Sequence, residues 1–387
     1  MDGIAVSAPL LTWVQHRSGR SEQEIRNQFG GWEDWLKTER IPSLKELEKL
    51  ATFTRVPFGY FFLPEPPVEE LPIPDFRSRN TANDYELGAS SELLDTIYIS
   101  QRRQAWYEDY LQDLNGYTPL PFVGSAGDLS VEETARTITA ALNYEVNTRA
   151  KLSNSDAVRH YLTDQFEKLG GLVMINSMVG NNTQRPLNLK EFRGFSLHSA
   201  TAPLVFINAQ DTKNGQIFSL LHEFAHIWRG ESGVSQGGEP LRSRDSDSER
   251  WCDSVAAEIA VPATDVKRTF NPKDDLTGEL ERLARRYKCS TLVVLLRLRD
   301  CALLSEDGFW ERYDHEAKRL LRLMASTSKA GGGDFYNSQP FRIGRKLSHA
   351  IIRDTQAGRT SMTEALRLLQ FGRISMFDAY TERLGNT

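Results

Sequence analysis

The run Ile217-Phe218-Ser219-Leu220-Leu221-His222-Glu223-Phe224-Ala225-His226-Ile227-Trp228 decides how this chain is read. Its apolar residues favour a helix, and histidines four apart lie one above the other on one helix face. Two imidazoles so placed can converge on a single cation. Glu223, directly after the first histidine, stands where a carboxylate can take a proton from a water on that cation. H-E-x-x-H is the ligand-and-base pattern of zinc peptidases.

A catalytic zinc commonly takes three protein ligands and keeps a fourth position open. Downstream, Ser248 to Pro262 carries Trp251, Val255, Ala256, Ile259 and Ala260 at helical spacing, and Pro262 ends the run. Glu249 and Asp253 are four apart and share one face of that helix, away from most of the apolar stripe. Glu249 fits as the third ligand. Asp253, one turn on, can accept the free ring N–H of a histidine ligand and fix its tautomer. The alternative is a solvated face within the acidic stretch Asp245, Asp247, Glu249.

Four blocks in this order, Gly194-Phe195-Ser196, Pro203-Leu204-Val205-Phe206-Ile207-Asn208, the H-E-F-A-H helix, and E-x-x-C-D-x-x-A-A-E-I-x-x-P from Glu249, resemble the ImmA/IrrE family of bacterial metallopeptidases. The resemblance covers residues 150–265 well. It implies a gluzincin-like site with His222, His226 and Glu249 on zinc and Glu223 as general base. Mn2+ or Fe2+ would also suit two imidazoles and a carboxylate. Members of the family cleave or inactivate helix-turn-helix repressors, and others are partners in toxin–antitoxin or phage-related modules. The function expected is therefore a zinc endopeptidase acting on one cytosolic regulatory protein, such as a repressor. The alternative is an antitoxin or transcriptional regulator whose metal site is structural or vestigial; an intact Glu223 favours the peptidase, since a structural site has no use for a base. A second oxyanion donor is also needed, and His198 is the candidate, against a structural or solvent-facing histidine.

With 387 residues the chain exceeds one typical domain. Hydrophobic content of 40% and charged content of 26% are those of a soluble globular protein. A net charge of −5 argues against whole-chain attraction to nucleic acid. No apolar run is long enough to span a membrane, and the first residues lack a signal-peptide pattern, so a cytoplasmic location is expected. Cys252, Cys289 and Cys301 stand at no metal-like spacing, which fits a reducing compartment. Cys252, three residues after Glu249, reads as a small buried hydrophobe or as a redox switch.

The fold expected is α+β and predominantly helical: a zinc-peptidase core with a small mixed sheet, an N-terminal helical module and a C-terminal helical tail. Residues 1–62 read as helices, with a capping box at Ser21–Glu24 and a helix opening at Pro42-Ser43-Leu44. Trp13 to Pro42 resembles a phage-repressor helix-turn-helix. However, Arg26 to Gly31 is thin material for a recognition helix, so docking or dimerisation is favoured over DNA binding. A proline-rich connector occupies 63–89, ending its motif at Pro74-Asp75-Phe76-Arg77; its apolar residues suggest that it packs along the protein. Residues 90–325 are assigned to the peptidase domain. Within it, helices are expected at 90–114, 131–142, 154–168, 276–287, 290–304 and 308–325, with three strands at 172–175, 193–197 and 204–207. An edge strand of that sheet could bind a substrate backbone by strand addition. Ser326 to Gly333 reads as a flexible break, and 334–387 as a helical tail whose basic residues form a solvated face or a patch for nucleic acid or an acidic partner.

Overall fold

The computed structural model describes residues 4–67, 71–76, 89–235, 247–327 and 335–385. The chain forms two compact units. The first runs to Pro72 and takes in the start of the long helix as far as Tyr98; the second comprises the segment from Ile73 and everything from Ile99 on.

The first unit holds α1 (Ala8–Arg17), α2 (Glu22–Gln28), α3 (Trp32–Leu36) and α4 (Leu44–Thr54), followed by a 3-10 turn at Phe58–Phe62. Ser21 and Ser43 each close a capping box, with Glu24 and Glu46 returning a carboxylate to the cap N–H. Leu10, Leu11, Val14, Ile25, Trp32, Trp35, Leu47 and Leu50 make one core. Helix α3 has five residues; both its tryptophans are buried, while Glu33 is exposed and ion-paired to Arg26.

The second unit continues α5 (Ser91–Asn115) and adds α6 (Val131–Ala141), α7 (Val146–Arg149), α8 (Ser155–Leu169), β1 (Leu172–Asn176), β2 (Gly194–Leu197), β3 (Leu204–Asn208), α9 (Lys213–Arg229) and β4 (Gly233–Ser235). It then runs through α10 (Asp247–Ala260), α11 (Ala263–Thr269), α12 (Leu276–Tyr287), α13 (Thr291–Asp300), α14 (Phe309–Thr327), α15 (Phe335–Ile343), α16 (Arg345–Gln356), α17 (Met362–Leu369) and α18 (Ile374–Gly385). The chain is thus predominantly helical α+β with a small mixed sheet. The sheet order is β1-β3-β2-β4, with β1 parallel to β3 and both β2 pairings antiparallel. Side chains alternate across the strands. Val173, Ile175, Val205 and Ile207 share a core with α9 and α8, while Met174 on the opposite face meets the buried Arg103 guanidinium of α5.

Two expectations need correction. A fourth strand, β4, extends the sheet beyond β2. Ser326 does not begin a break, because α14 continues through Thr327; Gly331-Gly332-Gly333 lies outside the described residues. Pro340 is accommodated inside α15.

Two buried charges fix elements around the site. Arg149 is fully buried and donates to the carbonyls of Ile259 and Ala260, at 2.7 and 2.8 Å, tying down the end of α10. Glu167 of α8 accepts from the Lys346 backbone N–H, and the Lys346 ammonium donates to the Glu167 carbonyl at 2.6 Å, joining α16 to α8. Burial pushes the Glu167 carboxyl up to about 7 from its ordinary 4.5, against the pull of Lys346. The folded form therefore binds this proton more tightly than the unfolded chain. The resulting stability is complete below the unfolded value and lost as pH rises through about 7. Glu167→Gln keeps the neutral form at all pH values. Urea melts between about pH 5 and about pH 8 should show the wild type losing stability relative to this variant as pH rises. A difference that stays constant across that range would contradict the assignment.

Candidate metal centre

Helix α9 begins at the Thr212 cap, whose side chain accepts from the Gly215 N–H, and ends at Gly230 in the left-handed conformation, φ 80°. Between these stops the helix is almost wholly buried, which explains why its apolar residues run on every side. Helix α10 packs along it through Cys252, Val255, Ala256 and Ile259. That crossing sets Glu249 against the two histidines.

The geometry is tight. His226 Nε2 lies 3.1 Å from His222 Nε2 and 2.9 Å from Glu249 Oε1, and His222 Nε2 is 3.5 Å from Glu249 Oε2. All three residues are at most 2% exposed, so the solvated-face alternative does not apply to Glu249. Tetrahedral sites with arms of about 2.0–2.1 Å have ligand-to-ligand edges of roughly 3.3 Å, the range these distances bracket. Two ring nitrogens facing each other at hydrogen-bond distance, beside a carboxylate oxygen, form a donor set that suits one divalent cation. Among the described residues His222, His226 and Glu249 are the one such group.

Each histidine has a carboxylate behind it. His222 Nδ1 meets Asp253 Oδ1 at 2.9 Å. His226 Nδ1 faces Glu231 Oε2 at 3.7 Å, and Glu231 is itself held by Arg229 Nε at 2.8 Å and by the Ser248 hydroxyl. Glu231 was not singled out in the sequence, although its place just after the Gly230 cap puts it at the ligand helix's end. Burial opposes charge on His222, but Glu249 and Asp253 override it and push the imidazole up to about 10. Burial likewise resists ionisation of Glu249, and the two imidazoles reverse that, holding its carboxyl well below the ordinary range.

Glu223 differs from its neighbours. It is 1% exposed, and neither carboxylate oxygen has a hydrogen-bond partner among the described residues. Burial pushes it up to about 7, opposed by the nearby histidines. An unpartnered buried carboxyl titrating near neutrality is poised for proton transfer. Gly194 of β2 makes room for it: a Cβ there would stand 2.8 Å from Glu223 Oε1 and 3.0 Å from the Phe206 carbonyl. That contact gives a physical reason for the glycine in Gly194-Phe195-Ser196.

His198 lies apart from this cluster. It is exposed just beyond β2, its backbone N–H bonded to Ser232 Oγ at 2.7 Å, with its ring beside Gly230. Cys252 is fully buried in the core beside His226.

Comparison with known families gives two matches. Residues 343–383 match a domain of unknown function. Residues 166–299 match the IrrE N-terminal-like domain, peptidase family M78. No curated protein matches the chain. The longer match runs from the end of α8 into α13 and contains His222, Glu223, His226 and Glu249, so this stretch of the chain is similar to the IrrE N-terminal-like domain.

Proposed function

We propose that this protein is a zinc-dependent endopeptidase that cleaves a specific regulatory protein, such as a helix-turn-helix repressor, in the cytoplasm. The observation that carries the reading is the unpartnered, buried Glu223 carboxyl directly beside the His222, His226 and Glu249 cluster. A purely structural metal site needs no such group.

His222, His226 and Glu249 would hold the cation, with zinc favoured by the donor set and Mn2+ or Fe2+ also compatible. Bound there, the metal supplies Lewis acidity and brings the acidity of a coordinated water toward neutrality. Glu223 Oε accepts the proton of the attacking water and later delivers it to the leaving amine. Asp253 accepts from His222 Nδ1, which fixes that ring with Nε2 turned toward the site. His198, exposed just beyond β2, is assigned no step in this reaction.

For residues 1–62, docking or dimerisation is the better-supported role. The solvent side of α3 is acidic, and Arg26, which reaches it, is paired to Glu22 and Glu33. A duplex reader needs the opposite charge at that place.

Glu223→Gln removes the base and no ligand. The purified variant should bind one zinc and lose cleavage of its protein substrate by about 100-fold or more; a wild-type rate in the zinc-loaded variant would end the catalytic assignment. His226→Ala should instead lower zinc content below stoichiometric in metal analysis, and unaltered content would remove His226 from the ligand set.

Asp253→Asn keeps shape but weakens the acceptor for His222. Competition with a chromophoric chelator should show zinc affinity reduced by roughly 10- to 100-fold. An affinity within about twofold of wild type would leave Asp253 without an orienting role.

A further inference from the structure

The sheet edge beside the metal cluster is covered by the chain's own connector. In the order β1-β3-β2-β4, strand β4 is terminal, and its Ser235 hydroxyl lies 3.5 Å from Glu249 Oε1. Pro74-Asp75-Phe76 pairs with the outer side of this strand as a parallel bridge centred on Asp75 and Val234. The Phe76 N–H donates to the Val234 carbonyl at 3.1 Å, and the Val234 N–H donates to the Pro74 carbonyl at 3.0 Å. The Phe76 ring then stacks on the His226 imidazole, with centroids 5.6 Å apart and planes within 4°.

Gly233 is shaped for this arrangement. A Cβ at that position would meet Phe76 Cε2 at 2.1 Å and Cδ2 at 2.3 Å, so the ring lies directly over the glycine backbone. Pro74, which has no N–H, contributes only its carbonyl, and proline at that place favours the extended backbone that strand addition requires. A peptide substrate needs an extended path along a strand edge next to the metal. Val234 offers its N–H and C=O outward at that edge, and both are engaged by residues 74 and 76.

We propose that Pro74-Asp75-Phe76 is a built-in competitor: it fills the strand-addition edge of β4 and the aromatic slot formed by Gly233 and His226, and must leave before a substrate strand enters. The proposal rests on the peptidase reading for its purpose, though not for its geometry. Two main-chain hydrogen bonds and the Phe76 ring are the contacts that an entering substrate strand or docking partner would replace.

The test uses the full chain, zinc-loaded and zinc-free, and requires no cleavage. Hydrogen exchange resolved at the Val234 amide should be slow in the wild type. In Phe76→Ala it should be at least about tenfold faster, with exchange within α9 and the thermal midpoint unchanged. Phe76→Leu, which keeps apolar bulk but no ring, should fall between the two and serves if the alanine variant folds poorly. A synthetic peptide of sequence Leu-Pro-Ile-Pro-Asp-Phe-Arg-Ser, copied from residues 71–78, should bind Phe76→Ala at least about tenfold more tightly than wild type and restore slow exchange at Val234. The same peptide with alanine for phenylalanine should not. Fast Val234 exchange in the wild type, or equal peptide affinity for wild type and variant, would overturn the proposal. Absent proteolysis alongside these exchange and binding results would instead count against the peptidase reading alone.

Discussion

Two imidazole nitrogens 3.1 Å apart, closed by a buried carboxylate, are costly to assemble without a cation, and the surrounding structure is arranged to hold them there. Helix α9 supplies both nitrogens at a fixed i to i+4 spacing, and α10 must deliver Glu249 from a separate turn of chain. The crossing of the two helices is set by small and apolar residues, Cys252 and Ala256 among them, and the far end of α10 is tied by Arg149. Asp253 and Glu231 then stand behind the two rings, so each imidazole is backed by a carboxylate as well as packed. Loss of any one of these supports would leave the trio's charges less well compensated in a dry interior.

Glu223 belongs to the same helix yet obeys a different rule. His222, His226 and Glu249 contact one another through their inner nitrogens and oxygens, while among the described residues the Glu223 oxygens, over Gly194, have no hydrogen-bond partner. Leaving a buried carboxyl without partners lowers stability, and a group kept at that cost calls for a functional explanation. A carboxyl pushed up to about 7 by burial can accept and release a proton near neutral pH. The strain between stability and chemistry is concentrated on this side chain.

Much of this was legible in the sequence. Periodicity and capping residues located α9, α10, α6 and α8 and three strands, and the shared helix face of Glu249 and Asp253, with the need for a third ligand, pointed to their part in the cluster. What escaped notice depends on long-range packing. β4 is three residues with a glycine, too short to show alternation. Pro340 sits within α15, whose neighbours β1 and α16 stabilise a helix that local propensity opposes. Glu231 looks like one more surface acid until the fold brings it behind His226. The positions of Gly194 and Gly233 can be explained only by side chains distant in sequence, Glu223 and Phe76. Pro74-Asp75-Phe76 reads as connector composition, and nothing local says that its aromatic ring lies on the His226 imidazole.

X-ray absorption spectroscopy of the purified, zinc-loaded protein tests the central claim most directly, because it reads the atoms around the metal. The structure predicts one zinc per chain with a nitrogen and oxygen shell, two of the scatterers showing the outer-ring pattern of imidazole and none being sulfur, since Cys252 is packed in the core rather than in the donor set. A sulfur scatterer, a single imidazole, or failure to take up zinc stoichiometrically would contradict it.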